Sequence, residues 1–282
     1  MTKPPRNPLR GSHKDRGHAR EVLDTPQTRS PAYSLAFDDN EFLCRPETRG
    51  VRLQLEMMKA ETLLQEAGIV STTVLFGGAR IPAPGQDPWA AKNEVQAKNL
   101  RESSKYYTVA REYARLASLA SKETDYTEYV VVTGGGPGVM EAGSRGTTDV
   151  GAPNIGLNIV LPFEQAPNEY VTPEYAFNFH YFAIRKMHFL MRANSVAVFP
   201  GGFGTLDEFF ETLTLIQTGR MDRIPVLLFG KAFWDRCLNI EAMAEEGTIG
   251  PDDHELFTVV DSAEEGWAVV EAYNKAQAEG QS

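Results

Sequence analysis

Three times in 282 residues an apolar run of strand composition stops at a cluster of glycines and gives way to a helical pattern. The three segments are residues 72–80 (TTVLFGGAR), 128–141 (EYVVVTGGGPGVME) and 194–208 (NSVAVFPGGFGTLDE). One such unit is weak evidence, because a tight strand-to-helix turn needs glycine for geometric reasons alone. Three of them in a chain of alternating strand and helix patterns predict loops that converge at the carboxyl edge of one sheet, where open α/β sheets bind ligands.

The rest of the chain fits that plan. Helical patterns are expected at 47–67, 93–120, 138–149, 181–192, 205–218, from Phe233 and from Ser262. Between them lie strand patterns at 71–76, 128–133, 155–161, 194–199, 225–229 and 256–260, a short extended piece at 175–179, and a loop broken by proline and glycine at 81–88. Such alternation predicts the α/β class, a doubly wound Rossmann-like, mostly parallel sheet with helices on both faces. Residues 36–282 are expected to form one nucleotide-binding domain with a helical extension at about 40–68, and a hydrophobic content of 42% is enough to fill its core.

Residues 1–35 read differently. Lys3, Arg6, Arg10, Lys14, Arg16, Arg20 and Arg29 stand against Asp15, Glu21 and Asp24, with Pro4, Pro5 and Pro8 and few apolar side chains. That composition predicts a disordered, solvated basic arm. The net charge of the whole chain is −10, which argues against a nucleic-acid-binding body. Cys44 and Cys237 lack metal-ligand spacing, so neither a zinc site nor a disulfide framework is expected. With no apolar run of membrane-spanning length and no signal-peptide core, a cytoplasmic protein is expected.

The chemistry concentrates at 194–208. Gly201, Gly202 and Gly204 let a ligand approach the main chain, and the first free N–H groups of the helix that follows carry the positive end of its dipole, a ready anion site. Thr205 belongs to the same turn, and Glu208 falls about one turn into the helix. The same letters also read as a capping box, with Thr205 at the N-cap and Glu208 reaching back to it. Upstream, Arg185 and Lys186 sit on the strongly apolar helix YFAIRKMHFLMR, where cations need partners or a ligand.

Arg185-Lys186 followed by Pro200-Gly-Gly-Phe-Gly-Thr-Leu-Asp-Glu208 resembles the P-G-G-x-G-T-x-x-E signature of the LOG family, phosphoribohydrolases often labelled lysine decarboxylases. Residues 134–142 (GGGPGVMEA) resemble that family's first glycine loop, and the likeness covers about residues 70–235. The resemblance implies hydrolysis of the N-glycosidic bond of a nucleoside 5′-monophosphate, AMP-like or cytokinin-type, to free base and ribose 5-phosphate. It implies Arg185 and Glu208 as the catalytic pair. Substrate and phosphate binding would fall to Gly77, Gly78, Arg80, Gly135, Gly136, Gly138, Lys186, Gly201, Gly202, Gly204 and Thr205, with no metal, no cofactor and a homodimeric state. Of the adjacent cations, Lys186 is the more suited to a structural role. The family usually writes the arginine within M-H-E-R-K, but here Phe182, Ala183 and Ile184 precede Arg185, so base recognition must come from other side chains.

Competing readings are weaker. A dinucleotide oxidoreductase needs G-x-G-x-x-G, and Gly134, Gly136 and Gly138 have the wrong spacing. A lysine decarboxylase would need a cofactor-lysine motif that is absent. A non-catalytic nucleotide-binding or carrier protein would keep the glycine loops and lose the catalytic pair. His180 and His188 have no carboxylate at ligand spacing, and Glu141 and Glu211 suit dipole complementation in the early turns of their helices.

Overall fold

Period-two alternation within the strands decides how this chain packs. In the computed structural model, which describes residues 11–162 and 166–280, Val74, Phe76, Val130, Val132, Val196, Val198 and Leu228 point into one core. Their sequence neighbours Leu75, Val131, Ala197, Phe199, Leu227 and Phe229 point into a second core on the opposite side of the sheet. A strand buried on both faces has no polar side, so helices must cover both.

The chain divides into two units, Met1–Met58 and Lys59–Ser282. The first contains helices α1 (Ser12–His18) and α2 (Asn40–Leu43) and the start of α3 (Arg49–Glu66). Residues 11–35, part of the expected disordered arm, carry α1 and a 3-10 turn at Pro31–Tyr33, and none of their side chains is buried. Asp38 pairs with Arg16 at 2.5 Å and Arg20 at 3.2 Å, and these cations hold its carboxyl below the usual carboxylate range. Residues 1–10 of that arm lie outside the described residues.

The second unit holds the sheet. Its strands are β1 (Thr72–Phe76), β2 (Val130–Thr133), β3 (Asn154–Ile159), β4 (Ala176–Phe179), β5 (Ala193–Val198), β6 (Val226–Phe229) and β7 (Thr258–Val260). The helices are α4 (Glu94–Lys122), α5 (Val139–Thr148), α6 (Phe182–Leu190), α7 (Phe203–Gln217), α8 (Lys231–Cys237), α9 (Ile240–Glu245) and α10 (Ala263–Gly280). All six strand pairings are parallel, in the order β4-β3-β2-β1-β5-β6-β7. The fold is therefore α/β and Rossmann-like, as its sequence pattern predicts. The piece at 175–179 becomes the edge strand β4 beside β3. The short α9, which the sequence pattern did not single out, is capped by the Asn239 side chain accepting from the Ala242 amide. None of the described helices is long and apolar enough to cross a membrane.

Tyr107, Ala110, Tyr113, Ala114 and Ala117 of α4, Val139 and Ala142 of α5, and Trp267 and Val270 of α10 fill one core. Phe189 of α6, Phe209 and Ile216 of α7, and Trp234 of α8 fill the other. Small residues let α4 and α5 approach closely: a methyl group on Gly146 would lie 2.1 Å from the Arg111 carbonyl oxygen.

The strand order reverses between β1 and β5, because β1 is followed by β2 on one side while the chain later returns to its other side. That reversal leaves a crevice beyond the carboxyl ends of β1 and β5. The loops leaving the two strands meet there. The Gly78 amide donates to the Pro200 carbonyl at 2.9 Å, and the Val139 amide at the start of α5 donates to the Gly78 carbonyl at 3.2 Å. Gly138 lets the third loop close on this junction. Its φ of 69° and ψ of −127° lie in a region essentially reserved for glycine, and a methyl group there would stand 2.4 Å from the Gly78 oxygen. Gly138→Ala should lower stability by about 2 kcal/mol or more, combining backbone strain with the clash. Gly219→Ala, with φ 68° and open space around it, should cost about 1 kcal/mol. Urea unfolding midpoints of the two variants, expected to fall in that order, check the junction.

Candidate active site

A cavity of about 780 Å³ occupies the crevice at the strand-order reversal. Each wall follows from local sequence. The buried run Val196–Phe199 carries the chain to Pro200, and the turn Gly201-Gly202 delivers it into α7. Gly202 is the N-cap residue, and among the described residues no side chain caps this helix end. The first amides of an α-helix have no partner within the helix, so those of Phe203, Gly204 and Thr205 are left for something in the cavity they line.

This placement corrects the capping-box reading. Thr205 occupies the third helical position rather than the N-cap, so Glu208 lies too far along to reach back to the helix start. Thr205 instead folds against Gly201, where an added methyl group would stand 2.1 Å from its Oγ1. Glu208, one turn farther on, projects into the cavity wall with only 7% of its surface exposed.

The electrostatics of Glu208 are unusual for a surface helix. Its Oε2 is buried and has no hydrogen-bond partner among the described residues. Burial pushes the carboxyl up to about 7, against the pull of Arg185 and Lys186, while Glu211 and Asp207 push in the same direction as burial.

Arg185 comes from α6 on the facing side. Its Nε donates to the Leu157 carbonyl of β3 at 2.6 Å, and its guanidinium lies 5.0 Å from the centre of the Phe189 ring. Room for the group comes from Gly134 at the end of β2, where a methyl group would stand 2.6 Å from Nη2. The β3 carbonyl and the aromatic ring aim the guanidinium, and the cavity receives it.

Of the residues singled out from sequence, Gly77, Gly78, Arg80, Arg185, Gly201, Gly202, Gly204, Thr205 and Glu208 line this one cavity. Gly135, Gly136, Gly138 and Lys186 do not. The Gly135 and Gly136 carbonyls accept from the Asn168 Nδ2 at 3.1 and 3.0 Å, so this part of the loop is tied back into the protein. Gly138 packs on Gly78, and Lys186 pairs with Asp207 and Glu211. His188 is buried with its ring 5.5 Å from that of Phe179, and Glu141 accepts from the Tyr107 hydroxyl at 2.7 Å.

Sequence reasoning did not assign several other wall residues to the site, among them Leu100 and the polar Ser103 of α4, Met140, Phe182, Phe233 and Trp234. The signal of Leu100, Met140 and Trp234 was hidden, because they fit the ordinary amphipathic periodicity of their helices. Phe203 could have been found. An aromatic set between glycines at a helix start has little core to join, and it is 93% exposed at the cavity.

A seven-stranded parallel sheet with its cavity at the strand-order reversal, a glycine turn and an uncapped helix start defines a Rossmann-like α/β protein. A family model described as "Possible lysine decarboxylase" matches residues 140–270. Two curated relatives are cytokinin riboside 5′-monophosphate phosphoribohydrolases of Arabidopsis thaliana. LOG3 is 28% identical over 51% of this chain and 67% of its own length, and LOG1 is 32% identical over 29% of this chain and 38% of its own. Together with the P-G-G-x-G-T-x-x-E signature at 200–208, these matches support LOG-family membership at low sequence identity. Solved structures with a similar trace include the molybdenum cofactor binding protein of Rippkaea orientalis, 18% identical, with a TM-score of 0.44, covering 72% of this chain and 96% of that one. The molybdenum cofactor carrier protein of Chlamydomonas reinhardtii is 16% identical, with a TM-score of 0.39 and the same coverage. Likeness at this level carries no argument about a ligand.

The buried carboxyl has a consequence for stability. The folded chain holds the Glu208 proton more tightly than the unfolded chain, whose carboxyl stays near 4.5. Between 4.5 and about 7 the folded state therefore binds more protons, and stability falls as pH rises through that window. Glu208→Gln removes the ionisation and should make the protein more stable by about 2 kcal/mol above pH 8, with the gain shrinking towards zero near pH 4. Thermal or urea unfolding of both proteins across that range measures it.

Proposed function

We propose that this chain hydrolyses the N-glycosidic bond of an AMP-like or cytokinin-type nucleoside 5′-monophosphate, giving the free base and ribose 5-phosphate. The observation that carries the reading is the buried carboxyl of Glu208, whose Oε2 has no hydrogen-bond partner among the described residues, in the same cavity as the Arg185 guanidinium and the open start of α7. A buried carboxyl oxygen left without a hydrogen bond is costly to maintain for structure alone.

Each part matches a demand of the reaction. The 5′-phosphate sits on the amides of Phe203, Gly204 and Thr205, where the helix dipole favours an anion. Binding far from the scissile bond anchors the ribose and is realised as orientation at C1′. As the C1′–N bond breaks, positive charge grows on the sugar, and the Glu208 carboxylate stabilises it and directs a water to C1′. The water oxygen bonds to C1′, its proton passes to Glu208, and the electron pair of the broken bond leaves with the base, which takes up a proton. Arg185 is too basic to give up its proton, so it serves by holding the base and stabilising negative charge on it. The apolar and aromatic walls from Met140, Phe182 and Trp234 suit a flat base and exclude bulk water.

Incubating the protein with a panel of nucleoside monophosphates and separating the products should release free base and ribose 5-phosphate from at least one member. Nucleosides without phosphate should be poor substrates. Glu208→Gln and Arg185→Ala should each lower turnover by about 100-fold or more while the far-ultraviolet circular dichroism is unchanged. Turnover should rise with pH through about 7 as Glu208 ionises. Binding of a monophosphate with no product from any member would make the chain a nucleotide-binding protein instead.

A further inference from the structure

Helix α7 carries three acids within five residues, Asp207, Glu208 and Glu211, and they meet different fates. Glu208 turns into the cavity and is buried without a hydrogen-bond partner on Oε2 among the described residues. Asp207 and Glu211, on either side of it, both reach one cation: the Lys186 Nζ lies 3.1 Å from Asp207 Oδ1 and 3.0 Å from Glu211 Oε2. The lysine side chain is only 16% exposed and Glu211 33%, while Asp207 keeps 58% of its side chain in solvent, so the three-charge cluster is partly desolvated at the lysine. Lys186 follows Arg185 directly on α6, so adjacent residues of one helix send one cation into the cavity and the other onto α7.

We infer that Lys186 is a positioning residue: its two ion pairs tie α6 to α7 and neutralise the carboxylates flanking Glu208, so that Arg185 and Glu208 are held facing one cavity. A lysine already shared by two carboxylates is a poor anchor for a phosphate dianion, which separates it from the binding role its place in the motif suggests. Burial works against its charge, but the bonds from Glu211 and Asp207 outweigh that and raise its pKa, so it remains a cation across the working range. The groups facing Glu208 are then Arg185 and Lys186 from α6 and Asp207 and Glu211 from its own helix, and all four act on its ionisation. Removing Lys186 takes away one attractive charge and exposes two repulsive ones, both of which favour the protonated acid. The kinetic consequence rests on the function proposed above, whereas the electrostatic consequence does not.

The test uses the full chain labelled with carboxyl-13C glutamate, with the Glu208 resonance assigned by its loss in Glu208→Gln. Its titration midpoint should rise by about half a pH unit or more in Lys186→Met and return towards the parent value in Lys186→Arg. Asp207→Asn with Glu211→Gln should shift it the opposite way, and this pair carries the test if Lys186→Met does not fold. A midpoint that stays the same in all the variants that fold overturns the inference. With a substrate in hand, Lys186→Met should lower kcat by about tenfold and move the pH profile of kcat upward, with KM within about twofold. A raised KM with unchanged kcat would mean that Lys186 holds the phosphate, and would also overturn it. If no nucleotide is turned over, the titration still decides the role of Lys186, and only the proposed reaction fails.

Discussion

The contact between two backbones, the Gly78 amide on the Pro200 carbonyl, is the constraint on which the rest of the site depends. It joins the loops that leave the two strands on either side of the strand-order reversal, and Gly138 closes the third loop against them. A methyl group on Gly138 would push the loops apart, standing 2.4 Å from the Gly78 oxygen, and one on Gly78 would crowd the Pro200 oxygen at 3.1 Å. With the loops together, the start of α7 opens onto the same space as Arg185 and Glu208. The glycines are therefore selected by the junction as much as by any ligand, which explains why Gly138 shapes the cavity without lining it.

Charged residues that adjoin in sequence divide their labour. Arg185 and Lys186 are neighbours, as are Asp207 and Glu208, yet Arg185 and Glu208 turn into the cavity wall while Lys186 and Asp207, the latter at the cavity's edge, pair in the ion cluster between α6 and α7. Helical geometry accounts for it, because adjacent residues lie about 100° apart around the axis and cannot share a face. Burial then amplifies the difference. Glu208 lies in an apolar wall with its carboxyl raised to about 7, while Asp207 keeps more than half of its side chain in solvent. A carboxyl poised near neutrality beside a fixed cation is a common arrangement for acid–base work, and here it comes from where two helices face each other.

Much of the architecture is legible in the sequence. The strand patterns at 71–76, 128–133, 194–199 and 225–229 became β1, β2, β5 and β6 with boundaries moved by one or two residues, because runs of β-branched residues ending in glycine have few alternatives. The cavity-lining glycines, Arg185 and Glu208 were legible because each departs from what a core or a surface helix needs. Less legible were the start of α7, three residues earlier than the capping-box reading allows, and the apolar walls from Leu100, Met140 and Trp234. Those side chains follow ordinary amphipathic periodicity, and only the packing of α4, α5 and α8 around the sheet shows which of them border a cavity.

What the amino-acid order determined by itself is the alternation of strands and helices, the glycine turns, and the pairing of a cation with an acid in the signature segments. These are local properties, set by backbone freedom at glycine and by the two- and 3.6-residue periods of buried side chains. The tertiary structure decided which strands flank the reversal, which acid of α7 turns inward, and which of two adjacent cations faces the cavity. Those outcomes depend on neighbours far away in sequence, and burial and electrostatics act between groups according to distance in space.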